Sequence, residues 1–256
     1  MSADKMAAKA PAAPRLFRAT ADDYYDAPLR EFPAAIRAVF YAVALILMAF
    51  SKLMWRWSFA DAAKLDEARE GGSGVVVICN HTSMAEVVPI FAYWRLRGRP
   101  LRLIMKSEFT RNPIVRWAFS RAGAIPVDRG KADVRSVRRA QRALQRGEDV
   151  FIFPEGTRIR TDDQPVEVHG GFALMASMAK AAIAPMAVCG FRDVTPNGKR
   201  LMRPVTCWLK AGDAVRIEDA PLGLKRSERM RWAEDEAARR MYALRDELRA
   251  EHPGRR

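Results

Sequence analysis

The strongest constraint on the fold is a β-branched run that passes directly into a polar segment containing a histidine. Residues 75–78 read Val-Val-Val-Ile, a pattern typical of a buried strand. Asn80, Thr82 and Ser83 follow as good helix N-cap residues, and residues 84–96 are apolar enough to continue as a helix. The pattern predicts a strand, a tight junction and a helix, as in an α/β sheet.

His81 and Glu86 lie on either side of this predicted junction. On one regular helix they would point about 140° apart, because an α-helix has about 3.6 residues per turn. They can meet if His81 lies just outside the helix and Glu86 lies inside it. A carboxylate bound to one imidazole nitrogen raises the basicity of the other, as a general base requires. The alternative is that His81 is only a capping or hydrogen-bonded core histidine.

The rest of the chain alternates strand-like and helix-like segments, which predicts an α/β fold. The further predicted strands are residues 101–105, 124–127, 150–153, 185–191 and 204–210. The further predicted helices are residues 113–122, 133–146, 171–182 and 225–256. The first of these begins at an Asn112-Pro113 cap and ends at Gly123, and the last is charged and amphipathic. Residues 61–74 are predicted to form a loop.

Composition restricts the partners of the chain. Its 44 Lys and Arg residues outnumber its 30 Asp and Glu residues, which gives a formal charge of +14 over 256 residues. This excess favours polyanionic partners: nucleic acid, an anionic membrane face or phosphorylated substrates. The three cysteines lie in separate apolar runs without paired spacing. They are typical of buried thiols in a reducing compartment, and they indicate neither a zinc site nor a disulfide framework.

The N-terminal part is predicted to be a mobile arm followed by a membrane-associated segment. Residues 1–30 begin with a polar, alanine-rich stretch that lacks a secretory signal pattern, and we interpret them as the arm. The uncharged run 38–51 would be about 21 Å long as a helix, shorter than the hydrocarbon core of about 30 Å. Trp55, Trp57 and two basic neighbours resemble headgroup anchors. We therefore expect residues 31–58 to form an in-plane or partly inserted pair of amphipathic helices. A single span and a helix buried against protein are the alternatives.

Three basic residues, Lys106, Arg129 and Arg158, each lie at or after the end of a predicted strand. Ligands of open α/β sheets collect at the carboxyl edge of the strands. Arginine binds phosphate through a planar fork, and lysine adds a point charge. Each cation alone is typical of a solvated surface, but together with His81 at the same edge they predict an anion-binding site.

Four sequence blocks stand in the order found in the glycerolipid acyltransferases, and the chain resembles that family. The blocks are Asn80-His81 with Glu86, Gly123 with Asp128-Arg129, residues 153–158 (Phe-Pro-Glu-Gly-Thr-Arg) and residues 183–188. The third block is highly specific, and residues 106–109 resemble the Lys-x-Glu-Leu element between the first two. The similarity covers roughly residues 70–215 and points to the bacterial lysophosphatidic acid acyltransferases.

This resemblance implies a role for each matched residue. His81 would be the general base that removes the proton of an acceptor hydroxyl, and Glu86 would hold it. The implied substrate-binding residues are Lys106, Arg129, Glu155, Gly156, Thr157 and Arg158, of which the three cations would bind an acceptor phosphate. Pro185 and its neighbours would line the acyl or acceptor side. The implied fold is a mixed sheet flanked by helices over residues 59–224, with N-terminal helices on the membrane.

The implied reaction transfers a fatty acyl chain from acyl-coenzyme A or acyl-carrier protein, as co-substrate, to the free hydroxyl of a lysophospholipid. The expected acceptor is 1-acylglycerol 3-phosphate and the product is phosphatidic acid, at the cytoplasmic face of the inner membrane. No cofactor is expected, and the three scattered histidines indicate no metal site. Glu86 stands where the family usually has aspartate, so another polar lipid or a glycolipid remains an alternative acceptor.

Other functional classes explain the sequence less well. A basic nucleic-acid-binding protein would account for the charge but not for the apolar run 38–51, and the aromatic residues are not interleaved with basic ones. We therefore expect no nucleic-acid partner. A catalytically inactive membrane scaffold would not need His81 with Glu86. There is no Gly-x-Ser-x-Gly elbow and no P-loop spacing, and His169 fits a plain loop residue better than a binding residue.

Overall fold

The computed structural model describes residues 13–16, 18–69, 72–128, 133–196, 199 and 201–255. Within these ranges the strands are β1 (Ser58–Ala60), β2 (Val76–Cys79), β3 (Leu101–Lys106), β4 (Ile125–Val127), β5 (Asp149–Ile152), β6 (Ile183–Cys189) and β7 (Trp208–Ala211). The helices are α1 (Ala21–Asp26), α2 (Ala34–Trp55), α3 (Lys64–Glu67), α4 (Val87–Leu96), α5 (Pro113–Ala122), α6 (Val134–Gln145), α7 (Gly171–Ala179) and α8 (Arg226–Glu251). Short 3₁₀ turns are formed by Leu29–Glu31, Met84–Glu86, Ser107–Arg111, Phe191–Asp193 and Ile217–Asp219.

The described strands form one sheet in the order β1-β7-β6-β2-β5-β3-β4. Every neighbouring pair is parallel except β6 and β7, which are antiparallel. In the central strand β2, Val76 is in register with Val150 of β5 on one side and with Ile183 of β6 on the other. The predicted mixed sheet flanked by helices is therefore confirmed. Because β2 is central, the polar segment after it lies in the middle of the carboxyl edge.

Helices cover both faces of the sheet, and each face has its own apolar core. On one face, Trp55 of α2 and Trp94 of α4 are buried against the sheet. On the other face, the buried core includes Leu144 of α6, Phe172 of α7 and Met241 of α8. The central strands are buried on both sides, which is why they read as continuous apolar runs in the sequence.

The helix ends that the sequence predicted around α5 are present. The side-chain oxygen of Asn112 accepts hydrogen bonds from the backbone nitrogens of Ile114 and Val115, at 2.9 and 3.2 Å. Gly123 ends the helix with φ of 100°, a left-handed conformation that glycine adopts without strain. A Cβ at this position would lie 2.6 Å from Cδ2 of Leu29 and 3.2 Å from the backbone oxygen of Leu101, so a larger residue would also displace the Leu29 side chain.

The predicted mobile arm is wrong for residues 20–30, which pack against the domain. The Arg102 side chain is completely buried, and its Nε donates to Oε2 of Glu148 at 2.7 Å. The other oxygen of Glu148 accepts a hydrogen bond from the backbone nitrogen of Leu29 at 2.6 Å. A buried ion pair that is also hydrogen-bonded to this segment fixes it in place. Residues 1–12, the first part of the predicted arm, lie outside the described residues.

The expected pair of membrane helices is one continuous helix. α2 has 22 residues, or about 33 Å at about 1.5 Å per residue, and it includes both Arg37 and Lys52. Charged residues near the ends of an apolar helix do not interrupt its backbone hydrogen bonds, so the helix is longer than the uncharged run. One side packs on α4 and buries Phe40, whereas Ile46 and Leu53 are 68% and 78% exposed. Among the described helices, α2 alone is long and apolar enough to cross a membrane.

The tryptophans expected to anchor this segment in a headgroup layer are instead buried in the protein. Trp55 and Trp57 both belong to the core between α2 and the sheet. The indole nitrogen of Trp57 donates to the hydroxyl of Ser51 at 3.0 Å, and Nζ of Lys52 lies 3.6 Å from the centroid of the Trp57 ring. Aromatic residues beside cations are typical of both environments, and only tertiary packing distinguishes them.

Besides α1 in the expected arm, two short strand or helix elements were not predicted. β1 is a three-residue edge strand that pairs with β7, and α3 is a single helical turn within the predicted loop 61–74. Segments this short are set by the neighbours on which they pack, and they show no measurable periodicity in the sequence.

Candidate active site

The predicted junction is present, and it brings His81 and Glu86 together. β2 ends at Cys79, residues 84–86 form a 3₁₀ turn, and α4 follows directly. Ser83 caps the turn: its hydroxyl accepts a hydrogen bond from the backbone nitrogen of Ala85 at 3.2 Å. His81 lies before the turn and Glu86 closes it, so Nδ1 of His81 and Oε1 of Glu86 are hydrogen-bonded.

The Glu86 carboxylate is completely buried, and its charge is compensated by hydrogen bonds. Its Oε2 accepts from the hydroxyl of Thr82 at 3.0 Å and from the backbone nitrogen of Ser83 at 3.1 Å. Its Oε1 accepts from the backbone nitrogen of Thr82 at 3.1 Å. An ionised carboxylate accepts the proton on Nδ1 of His81, which leaves the lone pair on Nε2. This arrangement is the one that a general base would require, with Nε2 free to accept a proton.

Several further contacts hold His81, one at its ring and the others at the backbone. Its ring stacks on Phe153 with centroids 4.0 Å apart and an interplanar angle of 16°. The backbone oxygen of His81 accepts from the nitrogen of Ile159 at 2.7 Å, and its backbone nitrogen donates to Oε2 of Glu155 at 2.8 Å. Asn80 holds the end of β2, since its side-chain amide makes two hydrogen bonds to the backbone of Val188, at 2.8 and 3.1 Å. The stacking of Phe153 on His81 was not predicted, although Phe153 is the first residue of the third block.

Glu155, which the resemblance placed in the substrate pocket, is directed into the protein. It is 4% exposed, and its two oxygens accept hydrogen bonds from the backbone of His81 and from the hydroxyl of Tyr242. Burial raises the pKa of Glu155, while the hydrogen bonds from His81 and Tyr242 lower it. Tyr242 was missed because it lies on α8, far from the recognised blocks and beside the apolar stripe of that helix.

A cavity of about 390 Å³ opens at His81, and we call it the apolar pocket. Most of its wall is apolar, as in Met84, Val87, Leu103, Met105, Phe119, Phe153, Leu174 and Met175. Lys106 and Gly156 also line it, together with His169. Lys106 forms an ion pair with Glu108 at 2.9 Å, and Gly156 has φ of 64° in the turn after β5.

A second cavity of about 280 Å³, the basic cleft, lies next to the apolar pocket and shares Met84 with it. Its wall includes the turn after His81 and the cations Arg158, Arg160, Arg192 and Lys199. Lys106 and Arg158 were expected to bind one anion, but they line different cavities. Thr157 is exposed and lines neither of them. Arg129, the third predicted cation, lies outside the described residues.

Other predicted features bear less directly on the site. Pro185, which the resemblance placed at the acyl or acceptor side, is buried in β6 in register with Ile78 and lines neither cavity. The cysteines are buried free thiols, and burial raises the pKa of Cys79 well above its usual value. In the part of the chain that the structure describes, no three His, Cys, Asp or Glu side chains are grouped as metal ligands.

The comparison with known proteins matches this geometry. The family model described as Acyltransferase matches residues 62–189, which is half of the chain. A lyso-ornithine lipid O-acyltransferase of Pseudomonas aeruginosa is 30% identical over 152 residues, covering 56% of each chain. A 1-acyl-sn-glycerol-3-phosphate acyltransferase of Bacillus subtilis is 28% identical over 147 residues, covering 57% of this chain and 69% of that protein.

More distant similarities agree on the fold. The chloroplastic 1-acyl-sn-glycerol-3-phosphate acyltransferase LPAT1 of Arabidopsis thaliana is 26% identical over 136 residues, covering 52% of this chain but only 37% of that protein. The crystal structure of the 1-acyl-sn-glycerophosphate acyltransferase PlsC from Thermotoga maritima superposes with a TM-score of 0.54 at 18% identity. That superposition covers 90% of this chain and 84% of the other, and it establishes a common fold. The predicted resemblance is thus confirmed, and the chain belongs to the acyltransferase family.

Proposed function

We propose that this protein transfers a fatty acyl chain from an acyl thioester to the free hydroxyl of a lysophospholipid, with 1-acylglycerol 3-phosphate as acceptor and phosphatidic acid as product. The observation that carries the proposal is the His81–Glu86 pair, which lies where the apolar pocket adjoins the basic cleft. An acyl chain requires the first environment, and a phosphate group requires the second. The names of the relatives support the same reaction class.

In the proposed mechanism, His81 acts as general base through Nε2. It takes the proton of the acceptor hydroxyl as the oxygen attacks the thioester carbonyl carbon. The tetrahedral intermediate then collapses, the carbon–sulfur bond breaks, and the imidazolium returns the proton to the departing thiolate. The products are an ester and a free thiol, with no acyl-enzyme intermediate. Glu86 stabilises the positive charge on the imidazole between the two proton transfers.

The substrate contacts follow from the two cavities. We assign the acyl chain to the apolar pocket and the acceptor phosphate to Arg158 in the basic cleft, with Gly156 forming part of the turn between strand and cleft. Lys106 lines the apolar pocket, and we propose that it approaches the phosphate end of the acceptor from that side. Arg129 and Thr157 keep their proposed roles in the phosphate site from the resemblance alone.

A second acceptor class also deserves a test, because the Pseudomonas aeruginosa relative is a lyso-ornithine lipid O-acyltransferase. Glu86 in place of the family's usual aspartate is compatible with an altered acceptor. A lyso-ornithine lipid carries no phosphate, so it would make little use of Arg158.

We further propose that the protein works at the cytoplasmic face of the inner membrane, attached through α2. The exposed apolar side of α2 and the formal charge of +14 favour an anionic bilayer. Acyl-coenzyme A and acyl-carrier protein are both proposed as donors, and no cofactor takes part in the mechanism.

The test is an acceptor panel with the purified full-length protein in mixed micelles. Lysophosphatidic acid, lyso-ornithine lipid and monoacylglycerol are each supplied with acyl-coenzyme A and with acyl-carrier protein. The proposal predicts the highest kcat/KM for lysophosphatidic acid, and the His81→Ala variant is the background control. A higher kcat/KM for lyso-ornithine lipid than for lysophosphatidic acid would show that the proposed acceptor is wrong. If no lysolipid were acylated, the proposed reaction itself would be wrong.

A further inference from the structure

We propose that Tyr242 of α8 is a positioning residue for the general base, acting on His81 through Glu155. The proposal rests on the acyl transfer proposed above. Tyr242 lies beyond residues 62–189, the segment matched by the family model, so it extends the catalytic machinery to the C-terminal helix.

A continuous chain of hydrogen bonds connects the helix to the base. The Tyr242 hydroxyl donates to Oε1 of Glu155 at 3.1 Å, and Oε2 of the same carboxylate accepts from the backbone nitrogen of His81 at 2.8 Å. The neighbouring Nδ1 of His81 binds Glu86, so the residue is held at its backbone by one carboxylate and at its ring by another. The backbone contact sets the position of the Cα atom, and the ring contact sets its orientation.

The hydroxyl matters because Glu155 is buried. A buried carboxylate remains an ionised, fixed acceptor only when hydrogen bonds compensate for its lost hydration. Burial raises the pKa of Glu155, and the nearby Glu86 carboxylate raises it further, whereas the two hydrogen bonds oppose this change. Without the Tyr242 hydroxyl, Oε1 loses its described donor, and the carboxylate is free to rotate or to bind a proton. Either change weakens its hold on the His81 backbone.

The rival explanation is that Tyr242 only packs α8 onto the domain. Its ring is half-buried against the core beside α7, and the guanidinium carbon of Arg245 lies 4.6 Å from the ring centroid. Phenylalanine would retain this packing and lose only the hydroxyl. The Tyr242→Phe variant therefore separates the hydrogen bond from the packing of the ring.

The chain offers a matched control in Tyr24, a fully buried tyrosine whose hydroxyl has no hydrogen-bond partner among the described residues. Tyr24→Phe makes the same chemical change away from the site.

In steady-state assays on lysophosphatidic acid, we expect Tyr242→Phe to lower kcat about 10-fold. This is less than the cost of misplacing a catalytic group by about 1 Å, which can reach about 10²-fold. The KM values for acceptor and donor should each remain within about twofold, because the change acts on the base and not on substrate binding. Tyr24→Phe should keep wild-type kcat.

A double-mutant cycle with Glu155→Gln then tests whether Tyr242 acts through Glu155. If it does, adding Tyr242→Phe to Glu155→Gln should lower kcat by less than about twofold, because coupled residues are not additive. The circular dichroism spectrum and thermal unfolding of each variant establish that it is folded.

Three results would overturn the inference: wild-type kcat in Tyr242→Phe, an equal loss in Tyr24→Phe, or full additivity in the double mutant. If Tyr242→Phe did not fold, the tyrosine would be structural and the inference would equally be overturned. None of these outcomes affects the proposed reaction, which fails only if the wild-type protein transfers no acyl chain to lysolipids.

Discussion

Glu86 binds the ring of His81 and caps the turn that follows it with the same carboxylate. Its Oε1 contacts Nδ1 of His81, and its Oε2 accepts from the backbone nitrogen of Ser83 at 3.1 Å. Glutamate at this position completes a capping box with Ser83. The extra methylene relative to aspartate therefore does not separate the carboxylate from the imidazole, because the 3₁₀ turn places it within reach.

This dual contact predicts different effects for two substitutions. Glu86→Gln should retain an oxygen for the turn but lose the charge that stabilises the imidazolium, so kcat should fall by about 10² or more. Glu86→Asp should keep the charge and lose part of the reach, so it should retain more activity than Glu86→Gln. The kcat values of both folded variants provide the measurement. If Glu86→Gln were as active as the wild type, the Glu86 side chain would act only as a cap of the 3₁₀ turn.

The phosphate assignment predicts a selective defect in Arg158→Gln. A hydrogen bond to a charged group contributes about 1.5–3 kcal/mol, and its loss should raise the KM for lysophosphatidic acid about 10- to 150-fold. Monoacylglycerol, which has no phosphate, should be affected much less, and the donor KM should change little.

The control for this comparison is Arg239→Gln, which changes an exposed arginine of α8 that is ion-paired with Glu236. The quantity to measure is the ratio of kcat/KM for lysophosphatidic acid to that for monoacylglycerol. If Arg158→Gln kept the wild-type ratio, the assignment of the acceptor phosphate to the basic cleft would be contradicted.

The exposed apolar side of α2 predicts weaker membrane binding when it is made polar. Deleting the whole segment is a poor test, because Trp55 and Trp57 belong to the protein core. The double substitution Ile46→Ser and Leu53→Ser changes only exposed positions and should leave the fold intact. It should lower co-sedimentation with vesicles that contain anionic lipid, because apolar area is removed from the bilayer contact.

Leu222→Ser is the matched control, since Leu222 is fully exposed in the loop before α8. Vesicle binding should be unchanged in this variant. If the double α2 variant sedimented as completely as the wild type, the membrane contact would have to lie elsewhere on the protein.

The raised pKa of Glu155 predicts a pH-dependent gain in stability for Glu155→Gln. Burial is the largest cause of the shift, and it disfavours the ionised form in the folded state. A carboxyl whose pKa is raised on folding favours the folded state at low pH, and this contribution is lost as the pH rises above its ordinary value of 4.5. The neutral glutamine avoids that loss. The measurement is the free energy of unfolding of Glu155→Gln minus that of the wild type, from urea titrations at several pH values. This difference should rise between pH 4 and 7. A difference that stays constant or falls would contradict the buried environment of Glu155.

The sequence was most informative where structure depends on nearby residues. The β-branched run before His81 and the polar caps after it predicted the junction, and the Asn112 cap and Gly123 predicted the ends of α5. These signals are local, since N-caps and left-handed glycines act within a few residues. The sheet and the place of His81 could be predicted for this reason.

The features that were missed depend on partners distant in the sequence. The N-terminal segment looked mobile because nothing local indicates that buried Arg102 and Glu148 bind its backbone. Trp57 looked like a membrane anchor because an aromatic residue beside a lysine fits either environment. Tyr242 lies 87 residues after Glu155 in the chain, and only the packing of α8 across the sheet brings them together.

The central claim is that His81 is the general base of acyl transfer, and the most direct test is single-turnover transfer by folded His81→Ala. Purified variant and wild type, each in excess over acyl-coenzyme A, are compared at saturating lysophosphatidic acid, after circular dichroism shows equal folding. The account predicts a rate about 10²–10⁴-fold below the wild type, the usual contribution of a positioned general base. A rate close to that of the wild type in the folded variant would contradict it.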